Sequence, residues 1–254
     1  MYKPHNLMIL TIDQKKHYKS KGFIIIKNFY NSEEIKKFQS SVKKLINTKN
    51  NKIAKYHQLN YLGTKNDLFR IENFYDHSLT LKKLIDSKKI NQLLKLINKK
   101  KMILFKEKIN IKPAFSREDR LHQDVQGDWL KYSKNFITIL ISLKNTNNKN
   151  GNLIFDISGN NKDKILGEMF KPLIKKNLNK PIFRAFPMMK GDIAMFNGFV
   201  PHMSNRNLSS RNRMQIYLTF CESNLSTIRK KYFLEKFKNC PPNQHGEVKF
   251  IFKN

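Results

Sequence analysis

"KGDIAMFNGFVPHMSNRNLSSRNRMQIYLTF", residues 190–220, sets two strand-like runs around a loop that carries one histidine. The second run alternates strictly. Met214, Ile216, Leu218 and Phe220 share one face; Arg213, Gln215, Tyr217 and Thr219 share the other. Side chains at i and i+2 of a strand lie on the same side, so the run predicts one apolar and one polar face. An arginine that opens the polar face of a barrel strand is costly to bury unless an anion meets it. Its planar fork suits a carboxylate. Arg211 has the same parity and is the rival for that role.

Working outward, "FITILISL" (136–143), "GNLIFDIS" (151–158) and "IFRAFPM" (182–188) are further strand-like runs, separated by turn-rich pieces such as "KNTNNKNGN". "KMILFKEKINIK" (101–112) alternates after Ile103 and also predicts a strand. Toward the N-terminus, Gly22 leads into a short apolar strand, Phe23 to Ile26. Asn31 or Ser32 then caps a helix with Glu33 and Glu34 in its first turn. Ile35, Phe38, Val42, Leu45 and Ile46 form its apolar stripe. Residues 47–76 read as irregular, and 78–100 as one helical stretch. The tail from Ser226 reads as a helix and then loop. Helices first and many short strands later indicate an α+β fold built on a sandwich or barrel. Without an internal repeat or a low-complexity linker, residues 1–254 read as one domain.

The chain has 254 residues, is 39% hydrophobic and carries a formal charge of +31. Lysines occur in nearly every segment and share helices with leucine and isoleucine, with no basic stripe interleaved with aromatics. That distribution makes nucleic acid an unlikely main partner, although the field can draw in a small anion. No run of about 18 apolar residues predicts a membrane span, and the start does not read as a signal peptide. Two cysteines without a C-x-x-C pattern suggest a reduced, cytoplasmic setting.

"RLHQDVQGDW" (120–129) holds an H-x-D. On a strand, His122 and Asp124 would project side by side, with Gln123 facing away. His202 is the third candidate. Two histidines and one carboxylate leave coordination positions open, which suits ferrous iron in an oxygen-using site. Zinc takes the same ligands, but hydrolytic zinc sites usually show a nearby general base. An H-x-D alone is common by chance; the company of His202, Ser204 and Arg213 gives it weight. The other histidines lack such neighbours and read as surface or packing residues.

These segments resemble the phytanoyl-CoA dioxygenase family of iron(II)- and 2-oxoglutarate-dependent oxygenases. The resemblance rests on "HQD" (122–124), "KGDIAMFNGFVPHMS" (190–204) and "RNRMQIYLTF" (211–220). "GFIIIKNFYNSEEIKKFQSSVKKL" and "NKNGNLIFDISGNNK" add to it, so that it covers about residues 20–222 and leaves 223–254 as a C-terminal helix and loop. It implies a double-stranded β-helix, a cupin-like jelly roll, with N-terminal helices packed outside. It implies His122, Asp124 and His202 as iron ligands. Arg213 and Ser204 would hold the far carboxylate of 2-oxoglutarate, with Lys112 and Thr138 as further cosubstrate contacts. Asn160 and Asn161 depart from the family, where serine and histidine commonly follow the glycine. Nothing resembles a coenzyme A site.

The implied cofactors are Fe(II), 2-oxoglutarate and O2. The implied reaction is hydroxylation of an unactivated C–H bond, giving succinate and CO2. No protein acid or base is required, which agrees with the lack of a Ser-His or paired-carboxylate constellation. The expected substrate is a small polar or anionic metabolite, such as an amino-acid, sugar-linked or phosphonate compound. Its pocket would be lined by residues 52–76 and the loop after the H-x-D, with Tyr56, Tyr61, Arg70, Gln126 and Trp129 as candidates. The alternatives are an oxygenase acting on nucleic acid or protein through its basic surface, a non-catalytic jelly-roll binding protein, and a zinc enzyme on a similar barrel. Oligomeric state is not legible.

Overall fold

Eleven strands and five α-helices follow one another in the computed structural model, which describes residues 10–60 and 66–242. The helices come first. α1 (Ile12–Lys21) starts in a capping box between Thr11 and Gln14 and ends at Gly22, whose φ of 77° is left-handed. β1 (Phe23–Ile26) follows. α2 (Ser32–Asn47) is capped by Asn31, whose side chain accepts from Glu34 N while Glu34 accepts from Asn31 N, both at 2.9 Å.

Two expectations are corrected here. Residues 47–76 are not wholly irregular: they contain β2 (Ala54–Leu59) and β3 (Asn66–Glu72), paired antiparallel. Their lysine, asparagine and glutamine content hides the pairing, and a bulge between Tyr56 and His57 breaks the alternation. The single helix over 78–100 is two, α3 (Leu79–Ile85) and α4 (Lys88–Ile97). Ser87 ends the first run by capping the second, accepting from Ile90 N.

The remaining strands are β4 (Met102–Lys112), β5 (Asp119–His122), β6 (Phe136–Ser142), β7 (Leu153–Asp156), β8 (Phe183–Phe186), β9 (Ile193–Asn197), β10 (His202–Ser204) and β11 (Arg213–Glu222). α5 (Ile228–Asn239) closes the described chain. The strands form two antiparallel sheets, ordered β1-β9-β6-β11-β4-β3-β2 and β5-β10-β7-β8. This is the jelly roll with helices outside.

Alternation decides what each face of the large sheet does. One set of side chains, including Ile109, Ile139, Ile193, Ile216 and Leu218, packs with Phe38, Val42, Leu81, Ile90 and Leu93 of the helices. The opposite set faces the small sheet: Leu140, Ala194, Phe196 and Tyr217 meet Leu153 and Phe155. The strict alternation of residues 213–220 is therefore realised as expected, since Met214, Ile216, Leu218 and Phe220 are all on the helix side. Beyond that apolar cluster the inner face turns polar at Thr138, Gln215 and Thr219, and then apolar again where Phe136 and Cys221 join Trp129, Tyr232 and Phe233. No helix among the described residues is long and apolar enough to cross a membrane. Cys221 is buried and Cys240 exposed, both as free thiols.

Candidate active site

β5 ends at His122 and β10 begins at His202, and the two are direct partners in the antiparallel register. That pairing closes the long sequence gap and sets the imidazole centroids 4.3 Å apart. Asp124 is not on the strand. After an extended Gln123 the chain enters a 3-10 turn, Asp124–Gly127, so the same-strand placement of His122 and Asp124 is corrected. Gln123 makes the corner: its amide donates to the Lys164 carbonyl at 2.8 Å and to that of Phe199, while its Oε1 accepts from Leu166 N at 2.9 Å. The turn still delivers the carboxylate. One ligand atom from each of His122, Asp124 and His202 lies within 4.8 Å of the others.

The surroundings aim these atoms. His122 Nδ1 lies 2.7 Å from the Arg120 carbonyl and His202 Nδ1 lies 2.9 Å from that of Val200. A carbonyl only accepts, so each Nδ1 carries the hydrogen and each Nε2 presents a lone pair. The Thr138 hydroxyl donates to one Asp124 oxygen at 3.1 Å and meets the Thr219 hydroxyl at 3.1 Å. Thr138 thus orients a carboxylate of the triad. Burial pushes His202 down to about 4, helped by His122. Burial raises the Asp124 carboxyl, but Lys108, His202 and His122 outweigh it and hold it at about 2. Both groups are deprotonated at neutral pH, as ligation requires. The donor set of two imidazoles and one carboxylate fits a divalent iron.

Beside the triad stand the residues expected to hold the cosubstrate. Arg213 is 1% exposed and pairs in register with Lys112. One Arg213 amino group donates to the Gly151 carbonyl, and its Nε has no partner. Gly151 has to be glycine: its φ is +85°, and a Cβ would come within 2.5 Å of the Asn205 carbonyl oxygen and 3.0 Å of Lys112 Cε. Arg211 is exposed, whereas Arg213 is buried at the start of β11.

A residue that sequence reasoning did not find joins this group. The Asp119 carboxylate lies 3.0 Å from Lys112 Nζ and 3.8 Å from Arg213, and accepts from the Ser204 hydroxyl. Lys112 also donates to Ser204 Oγ at 2.8 Å. Burial opposes the charge of Asp119, but Lys112 and Arg213 hold its carboxyl well below the ordinary range. Asp119 and Ser204 line the neighbouring cavity, with Lys112 and Arg213 behind them.

That cavity, of about 1110 Å³, has the triad in its wall. Tyr56, Arg70, Gln126 and Trp129 line it as expected; Tyr61 lies outside the described residues. Gln126 is engaged by the protein, accepting from Gln123 N at 2.8 Å and donating to the carbonyls of Glu168 and Lys171 at 2.8 and 2.9 Å. Trp129 packs edge-on against Phe105. Asn161, where the family commonly has histidine, instead ties its loop to Asp156 and Asn179.

Three further cations in the wall, Lys106, Lys108 and Lys236, were missed. The signal was the alternation of "KEKINIK", which puts 106, 108, 110 and 112 on one face of β4. Lys236 pairs with buried Glu72. Burial pushes Lys236 down to about 7, against the pull of Glu72 and with the push of Lys106 and Arg70. It pushes Lys108 down to about 8 against the pull of Asp124. A lysine depressed in the folded state binds fewer protons there than in the unfolded chain, so stability rises with pH between the two values. The melting temperature of the metal-free protein is therefore expected to climb from pH 7 to pH 9. Lys236→Met should flatten the climb; a flat or falling curve for the wild-type chain contradicts these charges.

The sequence profile described as phytanoyl-CoA dioxygenase matches residues 18–215. The chain belongs to the phytanoyl-CoA dioxygenase family. It is 27% identical over 237 residues to 2-aminoethylphosphonate dioxygenase of uncultured bacterium HF130_AEPn_1, covering 91% of this chain and 89% of that protein. It is 29% identical over 161 residues to a probable alpha-ketoglutarate-dependent hypophosphite dioxygenase of Stutzerimonas stutzeri, covering 60% of this chain and 54% of that one. Among solved structures, the alpha-ketoglutarate-dependent carbocyclase SnoK of nogalamycin biosynthesis superposes with a TM-score of 0.73 at 13% identity, over 92% of this chain and 94% of the other. This family member is a 2-oxoglutarate-dependent dioxygenase that uses iron.

Proposed function

We propose that the chain hydroxylates a small organophosphorus anion, with His122, Asp124 and His202 as its iron ligands. The observation that carries this reading is the convergence of that triad on the wall of a cavity lined with cations. One of these relatives is named for 2-aminoethylphosphonate, which supports a phosphonate substrate.

When bound, iron and 2-oxoglutarate supply oxidative decarboxylation coupled to insertion of oxygen into a C–H bond. The protein's part is orientation. The Arg120 and Val200 carbonyls fix both histidine tautomers, and Thr138 fixes Asp124. Phe196 and Phe155 pack against His202 with centroids 4.9 and 6.0 Å away, keeping water from that side. Arg213, Lys112 and Ser204 receive the far carboxylate of the cosubstrate. Two cations and one resident carboxylate leave that seat one positive charge, which a single carboxylate neutralises.

Asp119 occupies donors that this carboxylate needs. Asp119→Asn is expected to tighten 2-oxoglutarate, lowering its KM by about tenfold, because a neutral amide competes less well than a carboxylate for charged donors. A raised KM would instead make Asp119 part of the seat's support. The function itself is tested by succinate release with oxygen and 2-oxoglutarate, screened across short phosphonates and matched carboxylates. Stimulation by a phosphonate, with hydroxylated product formed in step, is expected. Stimulation only by carboxylates or by none of them contradicts the substrate class.

A further inference from the structure

The inner face of the large sheet carries a second cationic group, separate from the Arg213 seat. Arg70 on β3, Lys106 and Lys108 on β4 and Lys236 on α5 all line the cavity. Glu72 is the carboxylate among them: Lys236 pairs with it and Arg70 Nη1 stands 3.6 Å away. The ammonium groups of Lys106 and Lys108 make no hydrogen bond or ion pair with a side chain among the described residues. Instead Lys106 Nζ sits 5.0 Å from the Trp129 ring centroid and 5.3 Å from that of Tyr232, and Lys108 Nζ sits 4.6 Å from that of Tyr217. Arg70 Nε is buried without a partner. Four basic groups against one carboxylate leave a surplus of basic groups, and burial holds the lysines among them only partly charged, Lys236 at about 7. A bound anion would keep them charged and offset the cost of burying them.

We propose that Arg70, Lys106, Lys108 and Lys236 form the subsite for the doubly charged, tetrahedral oxyanion of the substrate, a phosphonate headgroup. This rests on the function proposed above and says which residues read the phosphorus end. A single carboxylate would leave most of the surplus unmet. A phosphonate brings two charges and three acceptor oxygens, enough for two ammonium groups and a guanidinium fork together.

The register sets the distance to the chemistry. Thr138, bonded to Asp124, pairs with Thr219 on the next strand, and Thr219 pairs with Lys106 on the strand after that. Two strand spacings are about 10 Å. Lys106, Lys108 and the triad therefore line one cavity, with the lysine side chains reaching from the strand two places away.

The test is calorimetric titration of the metal-free, full-length chain with methylphosphonate, which needs no turnover. One site is expected, with acetate failing to compete at equal ionic strength. Lys106→Met and Lys108→Met should each weaken binding at least tenfold, while Lys108→Arg, which keeps the charge, retains most of it. Circular dichroism and the melting temperature show whether each variant folds; removal of a buried ammonium is expected to leave the melting temperature unchanged or higher. No binding to the wild-type chain, equal competition by acetate, or unchanged affinity in both methionine variants overturns the proposal. If a methionine variant fails to fold, the acetate competition and Lys108→Arg in folded protein decide it. The two readings fail separately. Methylphosphonate binding at this cluster without any succinate release keeps the subsite and sinks the oxygenase function. Phosphonate-driven succinate release with wild-type affinity in the methionine variants does the reverse.

Discussion

Asp124→Ala is expected to lower substrate-driven succinate release by more than about a hundredfold while leaving the fold intact. Changes in groups that merely orient a metal ligand cost about ten- to a hundredfold, so loss of a ligand costs more. Asp124 is the single carboxylate of the triad, and its loss leaves two imidazoles without an anionic ligand to hold a dication. His122→Ala should behave alike, since the ring donates only to a backbone carbonyl and packs on one side against His202. The fold survives because Asp124 contributes to a turn whose corner is tied down by Gln123. The check is succinate and product formation in purified variants, alongside circular dichroism. Near-normal turnover in either variant removes the ligand assignment.

Arg213→Ala should raise the KM for 2-oxoglutarate by roughly ten- to a hundredfold, with a smaller effect on kcat. A hydrogen bond to a charged partner contributes about 1.5–3 kcal/mol, which converts to that range. The interaction is made in the ground state as well as the transition state, so it shows in KM. Loss of the guanidinium also leaves Asp119 with Lys112 as its cation, so the seat drops from one positive charge to none. Arg211→Ala, at an exposed position, is the matched control and should shift KM less than about twofold. Equal effects at the two positions contradict the seat.

The two arginines show how far the sequence could be read. Parity alone placed both 211 and 213 on one face, and only the strand's starting point distinguishes them: β11 begins at Arg213. The strands β4, β6, β9 and β11 were legible because their outer residues are apolar under the helices, with Glu107 of β4 the exception. The strands β2 and β3 were not, because half-buried positions at that end of the sheet accept lysine, glutamine and asparagine. His122 and His202 were legible as candidate ligands through the family resemblance, while the cause of their approach, direct cross-strand pairing, required the register. Asp124 was rightly grouped with them but for a local reason that failed, since a 3-10 turn and not a strand presents it. Asp119 gave no signal: a lone aspartate in "FSREDR" becomes significant only when two sheets bring Lys112, Ser204 and Arg213 to it. The cations of β4 were visible in "KEKINIK", but with 50 lysines and arginines in the chain any three of them read as surface.

The central claim is that His122, Asp124 and His202 hold one iron beside 2-oxoglutarate. Anaerobic titration of the metal-free protein with iron(II) in the presence of 2-oxoglutarate, followed by the weak visible charge-transfer absorbance, tests it without reference to substrate. Absorbance saturating at one equivalent in the wild-type chain, and lost in His202→Ala, is the predicted result. No band in the wild-type chain, or an undiminished band in the variant, would contradict it.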